Sequence, residues 1–296
     1  MVSVLTATYQ VAAIIQSVTD EARRLPSLGK MSLKNRKLFA VDLTLVALAI
    51  RTGYLVDTVA PRDAVDVFSR LLSALRIVHP VFGTVIHVYE PTSGQSLFVN
   101  ISMFLGNQIL EGISSARSEN RGHQDYGHEA NVFEISFVRL HPDQRCEFLS
   151  APPAGVISIL KSLVDEFANV LSLPVSKTLP KTFSQDISVP LAAVLIEYPV
   201  AYVPMLSDQA PFLTGVNLDV YECVLTSDGS LQSSNPHTLL KFSSPSQLGK
   251  EHPDLLGPSH MIESLIAKFQ PRVHKISSDT KLVVRQTVEI VDRVAL

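Results

Sequence analysis

The chain has 296 residues, with 25 Lys+Arg against 28 Asp+Glu for a formal charge of −3, and 46% hydrophobic against 18% charged residues. That apolar fraction at this length supports a sizeable core. It excludes a disordered chain, and 13 Gly and 18 Pro in no periodic pattern exclude a fibrous one. The near-neutral charge gives no general field for phosphate backbones, and Cys146 and Cys223 are too few for a disulfide framework or a zinc site.

Apolar residues at Val4, Ala7, Val11, Ile15, Val18 and Ala22 recur every three or four positions and predict a first helix, ended by Leu25-Pro26 and Gly29. Met1 to Arg24 lacks a basic leader and carries Gln10, Gln16, Asp20 and Glu21, so it reads as neither signal peptide nor membrane span. A soluble cytoplasmic or nuclear protein is expected. The basic residues Arg23, Arg24, Lys30, Lys34, Arg36 and Lys37 have no interleaved aromatics and read as a solvated connection, so neither nucleic acid nor membrane is implied as a partner.

Leu38 to Leu43 is a short apolar run with its one charge, Asp42, near the downstream end. That pattern predicts a central strand buried on both faces. Thr44 to Thr58 is unassigned, and Pro61 opens a helix carrying Val65, Phe68, Leu72 and Leu75 on one face. Thr84 to Glu90 and Ser96 to Asn100 read as two strands joined by the turn residues Pro91-Thr92-Ser93-Gly94, with Asn100 capping a helix from Ile101 to about Ile113. Ser114 to Asn131 reads as a polar loop, and Val132 to Leu140 as a strand.

Pro152-Pro153 open an amphipathic helix with Ile157, Leu160, Val164, Phe167 and Leu171 at helical spacing. Pro190 begins a hydrophobic helix that Pro199 ends, and Val200 to Val203 continues as a strand. The last third is β-rich: Val216 to Leu225, Thr238 to Phe242 and Lys281 to Val291 read as strands, with a helix over Ile262 to Phe269. These elements predict a single α/β domain over 1–296 with a β-rich carboxy-terminal portion at 200–296. The fold is layered, with a mixed, partly parallel central sheet flanked by helices.

Three stretches carry a resemblance: Leu38 to Asp42, Ile196-Glu197-Tyr198-Pro199-Val200-Ala201-Tyr202, and the terminal Val288-Glu289-Ile290-Val291 with Val294-Ala295-Leu296. Together they resemble an uncharacterised eukaryotic family named after open reading frame 74 of human chromosome 1, over most of the chain. The resemblance implies a full-length soluble protein and brings no established activity to carry over. The stretch from Leu43 to Asp57, the loop around His123, and Glu197 at a position the family keeps small depart from the pattern. Physically, Tyr198-Pro199-Val200-x-Tyr202 is a helix stop feeding a buried strand, with two rings to pack at the corner.

The sharpest chemical constellation is Asp42, Glu90 and Glu134, each acidic and within or near the end of an apolar strand. Carboxylates gathered at strand ends of an α/β sheet can hold Mg²⁺ or Mn²⁺, or act as a general base; the competing reading is three solvated strand ends. His123 and His128, beside Asp125 and Glu129, are spaced five apart in a glycine-bearing stretch and make a weak metal signal. His87 reads as a core or edge histidine, and Cys146 as a non-catalytic thiol, although Arg145 beside it is of the kind that lowers a thiol pKa. No GxSxG, GxGxxG or GxxxxGK[ST] occurs, which removes the common hydrolase, dinucleotide and nucleoside-triphosphate fingerprints and disfavours those enzyme classes.

Two functional readings follow. The first is a non-catalytic or regulatory interaction protein. The second is a carboxylate-dependent hydrolase or transferase, with Mg²⁺ or Mn²⁺ as a candidate ion, acting on a small phosphorylated or nucleotide-like substrate. The sequence names no cofactor, no partner and no oligomeric state.

Overall fold

The computed structural model describes residues 2–106, 135–181, 183–205, 213, 215–226, 236–276 and 280–290. Among these the chain runs as α1 (Val2–Arg24), α2 (Pro26–Gly29), α3 (Leu33–Ala47), β1 (Gly53–Leu55), α4 (Ala64–Val78), β2 (Val85–Glu90), β3 (Gln95–Asn100) and α5 (Ile101–Gly106). It continues as β4 (Ser136–Leu140), β5 (Cys146–Leu149), α6 (Ala154–Ala168), β6 (Ser176–Thr178), α7 (Gln185–Leu195) and β7 (Val200–Pro204). The last described elements are β8 (Asn217–Thr226), β9 (His237–Pro245), α8 (Ser246–Glu251), α9 (Pro253–Leu256), α10 (Pro258–Val273) and β10 (Lys281–Ile290). No helix among the described residues is long and apolar enough to cross a membrane.

The strands form three small sheets, ordered β1-β3-β2-β6, β5-β4-β7 and β10-β8-β9. The first two are mixed, because β2 pairs parallel with β6 and β4 parallel with β7, while the third is antiparallel throughout. The expected α/β fold with partly parallel pairing flanked by helices is therefore present, divided over several sheets. One apolar core joins Val18 and Phe39 of the first helices to Tyr221, Phe269 and Leu282 near the carboxy end, and a second packs Val156, Leu160 and Leu191 over Val99, Phe137 and Ala201. Tyr198 packs against both.

The strand expected at Leu38 to Leu43 is instead the middle of α3. Ser32 caps this helix, accepting the Asn35 N–H at 3.1 Å, and every residue from Leu43 to Ala47 is buried. A helix enclosed on nearly all sides shows no amphipathic stripe, so its apolar run mimics a strand. Pro190 does not begin a helix but lies inside α7, five residues past its start at Gln185. The helix from Ile101 is described as far as Gly106, capped by Asn100, whose Oδ1 accepts the Met103 N–H at 3.2 Å. Ser114 to Asn131, with His123, Asp125, His128 and Glu129, lies outside the described residues, as does 132–134.

α3 and α7 end in the same way. Each closes with paired backbone bonds, Ile50 N to Leu45 O and Ala49 N to Val46 O in one, Tyr198 N to Ala193 O and Glu197 N to Val194 O in the other. Ala49 and Glu197 accordingly sit at φ 57° and 62°, the left-handed turn that ordinarily belongs to glycine. The two ends lie against each other: a Cβ on Gly53 would come within 2.3 Å of the Leu195 carbonyl oxygen, so only glycine fits there.

Candidate functional site

Where α3, β1 and the start of β9 meet, the surface opens into a cleft of about 470 Å³, within the range of small-ligand sites. Asp42 and Leu38 of α3, Arg51, Tyr54 and Asp57 around β1, Tyr198 after α7, and His237 and Lys241 of β9 contribute to its walls. Asp42 reaches it from the last half of a buried helix, and His237 arrives from 195 residues away as the first residue of β9.

The Asp42 carboxylate is held through one oxygen. Oδ1 accepts from Arg51 Nη1 at 3.0 Å and lies 3.2 Å from His237 Nε2, while Oδ2 takes no hydrogen bond from any described residue. Arg51 is fixed in turn, because its Nε donates to the Gly53 carbonyl at 2.7 Å and its guanidinium stands 5.6 Å from the Tyr54 ring centre. All three side chains are nearly enclosed, with 9%, 13% and 8% exposure for Arg51, Asp42 and His237. Charge-assisted bonds in such a setting are strong and geometrically fixed. The Asp42 contact orients the imidazole with Nε2–H toward the carboxylate, which leaves Nδ1 as the lone-pair nitrogen.

Two phenols complete the wall. Burial, reinforced by the charge of Asp42, pushes the Tyr54 pKa well above the ordinary tyrosine value, and its hydroxyl lies 3.4 Å from Thr58 Oγ1. Burial likewise raises Tyr198, with Asp57 and Asp42 acting in the same direction. Both therefore remain protonated near neutral pH and are hydrogen-bond donors. Lys241 is exposed at the rim.

Of the two described carboxylates among the three singled out from sequence, Asp42 lines this cleft and Glu90 does not. Glu90 folds over the β2–β3 turn, accepting the Thr92 and Ser93 N–H groups at 2.7 Å each as well as the Ser93 hydroxyl. Burial alone would raise its pKa, but these bonds outweigh it and hold the carboxyl below its ordinary value. Glu134 lies outside the described residues. Among the described residues no three His, Cys, Asp or Glu side chains group in a way that would hold a metal ion.

The remaining candidates have structural settings. His87 is buried against Phe68 and Phe98, its Nδ1 lies 2.8 Å from Ser176 Oγ, and burial lowers its pKa to about 4. Arg145 does not activate Cys146: it pairs with Asp143 at 2.6 Å, and burial pushes the thiol up to about 11. The basic cluster is partly spent locally, with Arg24 on Glu21 and Arg36 donating to the Gly29 and Met31 carbonyls.

Sequence reasoning did not find His237, Arg51 or Tyr54. Only the histidine in Pro236-His237, just before a predicted strand, offered any signal, and nothing local joins it to Asp42. No family model, curated protein or solved structure matches the chain.

Proposed function

We propose that the cleft binds a small polar molecule bearing an anionic group and performs acid–base chemistry on it, as a hydrolase or group transferase. The observation that carries this reading is the contact between Asp42 Oδ1 and His237 Nε2 in the wall of the cleft. A carboxylate that orients an imidazole lets the free ring nitrogen take a proton from water or a substrate hydroxyl. Tyr54 and Tyr198 supply neutral donors for developing negative charge, and Lys241 supplies a cation at the rim for a phosphate or carboxylate. This keeps the carboxylate at Asp42 central and moves its partner from Glu90 and Glu134 to His237. Membership of the family named after open reading frame 74 of human chromosome 1 belongs to the same proposal, supported by the Tyr198 to Tyr202 corner.

The test is thermal stabilisation by a panel of inorganic phosphate, sugar phosphates, nucleoside phosphates and carboxylates, with and without Mg²⁺ or Mn²⁺, since a ligand of the folded form raises its melting temperature. At least one anionic ligand should stabilise the parent, and Lys241→Ala, an exposed change, should weaken that effect without altering the unliganded melt. Turnover of that ligand should fall by at least about a hundredfold in His237→Gln. A panel with no stabilising member, or turnover that survives His237→Gln, overturns the reading. A second reading, that the protein acts by binding other protein chains, is favoured by the outer edge of β10, which no strand among the described residues covers.

A further inference from the structure

β10 is the outer strand of the β9-β8-β10 sheet and pairs with β8 over ten residues, from Lys281↔Thr226 to Ile290↔Asn217, with no bulge. Among the described residues no strand covers its other side. An open edge exposes a row of unpaired N–H and C=O groups, which proteins ordinarily blunt with a proline, a bulge, a short strand or charged side chains. β10 has no proline or bulge and is ten residues long, and over its outer part its charges, Arg285 and Glu289, are of opposite sign.

The direction of each backbone group follows from one bond. In an antiparallel pair, successive residues point their N–H and C=O alternately toward the partner strand and away from it. The Leu282 N–H donates to Gln270 Oε1 at 3.1 Å, away from β8, so residues 284, 286, 288 and 290 direct their groups outward as well. Gln270 already occupies the donor at 282, which leaves 284–290 as the free edge with Thr287 at its centre. Leu282, on the same face as the even-numbered residues, is buried, yet Val288 and Ile290 further along that face are 61% and 67% exposed. The opposite face carries Arg285 and Glu289.

We propose that this edge pairs with β10 of a second copy of the chain, antiparallel about a two-fold axis at Thr287, joining the two three-stranded sheets into one. In that register Val284 faces Ile290 of the second copy, Gln286 faces Val288, and Arg285 faces Glu289, each relation occurring twice. The outward groups at 284, 286, 288 and 290 are all used. The opposite charges fall at non-hydrogen-bonded positions, where cross-strand side chains lie closest. Neighbouring registers fit less well. An axis at Arg285 stacks two arginines, and one at Gln286 requires the Leu282 N–H that Gln270 holds. In the paired form the exposed Ile290 faces the apolar Val284 of the second copy.

Sedimentation of the full chain, together with cysteine crosslinking, tests this. The parent should be dimeric at micromolar concentration. Arg285→Glu sets like charges opposite each other twice and should raise the dimer dissociation constant at least about tenfold, and adding Glu289→Arg should restore it. Thr287→Cys should form an intermolecular disulfide under mild oxidation, because directly opposed non-hydrogen-bonded residues have Cα atoms about 4.5 Å apart, within disulfide reach. Lys281→Cys, at the far end of the strand from its copy, should not. A parent that stays monomeric at high micromolar concentration overturns the proposal, as does a dimer that ignores Arg285→Glu and does not crosslink at 287.

Discussion

Arg272 holds Glu197 with both terminal guanidinium nitrogens, at 2.9 to 3.1 Å, and Lys268 adds a second cation at 3.3 Å. The carboxylate is fully buried and also accepts the Thr52 N–H at 3.0 Å, while Arg272 Nη1 approaches the Ile50 carbonyl at 3.5 Å. One acidic side chain thus ties the end of α7 to the segment between α3 and β1, which carries Arg51 into the cleft and leads into Tyr54 of β1.

Glu197 should therefore control acid stability. Burial by itself would raise its pKa, but the Lys268 and Arg272 charges and the bonds from Arg272 and Thr52 outweigh it and hold it at about 2, against an ordinary value of 4.5. A depressed carboxyl stabilises the fold in full above the unfolded value, and that stability is lost as pH falls from about 4.5 toward 2. Denaturant melts across that range should show the loss in the parent and a flatter profile in Glu197→Gln. At neutral pH, Glu197→Ala should cost on the order of 3 kcal/mol, because two cations lose their buried partner.

The backbone at the same residue provides an independent comparison. Because Glu197 sits at φ 62°, Glu197→Gly loses the ion pairs but relieves the left-handed strain that Glu197→Ala keeps. The glycine variant should be more stable than the alanine variant by about 1 kcal/mol in chemical denaturation. Equal stabilities would show that no strain is stored there.

His87 should act in a separate pH window. Burial lowers its pKa to about 4, below the ordinary 6.5, so the folded form binds fewer protons than the unfolded chain between those values. Stability is then complete above about pH 6.5 and is lost as pH falls toward 4, with a slope approaching 1.4 kcal/mol per pH unit. In His87→Phe that slope should vanish while the loss below pH 4.5 persists. A parent melt flat between pH 7 and 5 would contradict the burial of a neutral imidazole.

The two tyrosines of the Tyr198 to Tyr202 corner, expected alike to serve the fold, have different surroundings. Tyr202 is buried and donates to the Ser243 carbonyl at 3.1 Å, joining β7 to β9. Tyr202→Phe should cost about 1 kcal/mol, and Tyr202→Ala about 3 to 5. Tyr198 packs on Phe242 at 6.1 Å but lines the cleft, so Tyr198→Phe should keep the melting temperature and weaken ligand stabilisation.

The legible parts of the fold were those with local chemistry. The first helix, the β2–β3 hairpin with its Pro91 to Gly94 turn, the Pro152-Pro153 helix and the long β10 each announce themselves through periodicity or turn residues. α3 was hidden because Phe39 to Val41 and Leu43 to Ala47 are buried on all sides, and only the Ser32 cap and the run's continuation past Leu43 distinguish helix from strand. β5 and β6, with four and three residues, are too short to show a period. The site was half legible. Asp42 stood out as a charge in an apolar run, but its histidine partner lies 195 residues away, and such pairing follows from tertiary packing alone. Glu90 was conspicuous for the same reason as Asp42, yet the N–H groups of its own turn satisfy it.

Asp42 and Arg51 form the last test, since their contact has both a structural and a chemical side. Arg51 bonds the Gly53 carbonyl and Asp42 at once, which a lysine's single ammonium does not reproduce, so Arg51→Lys should already lower stability by on the order of 1 kcal/mol. Arg51→Met leaves Asp42 with only His237, and Asp42→Asn leaves Arg51 without its counter-charge, so each single change should destabilise. The double variant removes both charges together and should cost less than the sum of the two, with a coupling of about 1 to 3 kcal/mol in a double-mutant cycle. Additive costs would mean that the 3.0 Å contact contributes nothing to stability. A measured coupling, combined with loss of turnover in Asp42→Asn under conditions where it is fully folded, would place the carboxylate in both roles, anchoring Arg51 and orienting His237.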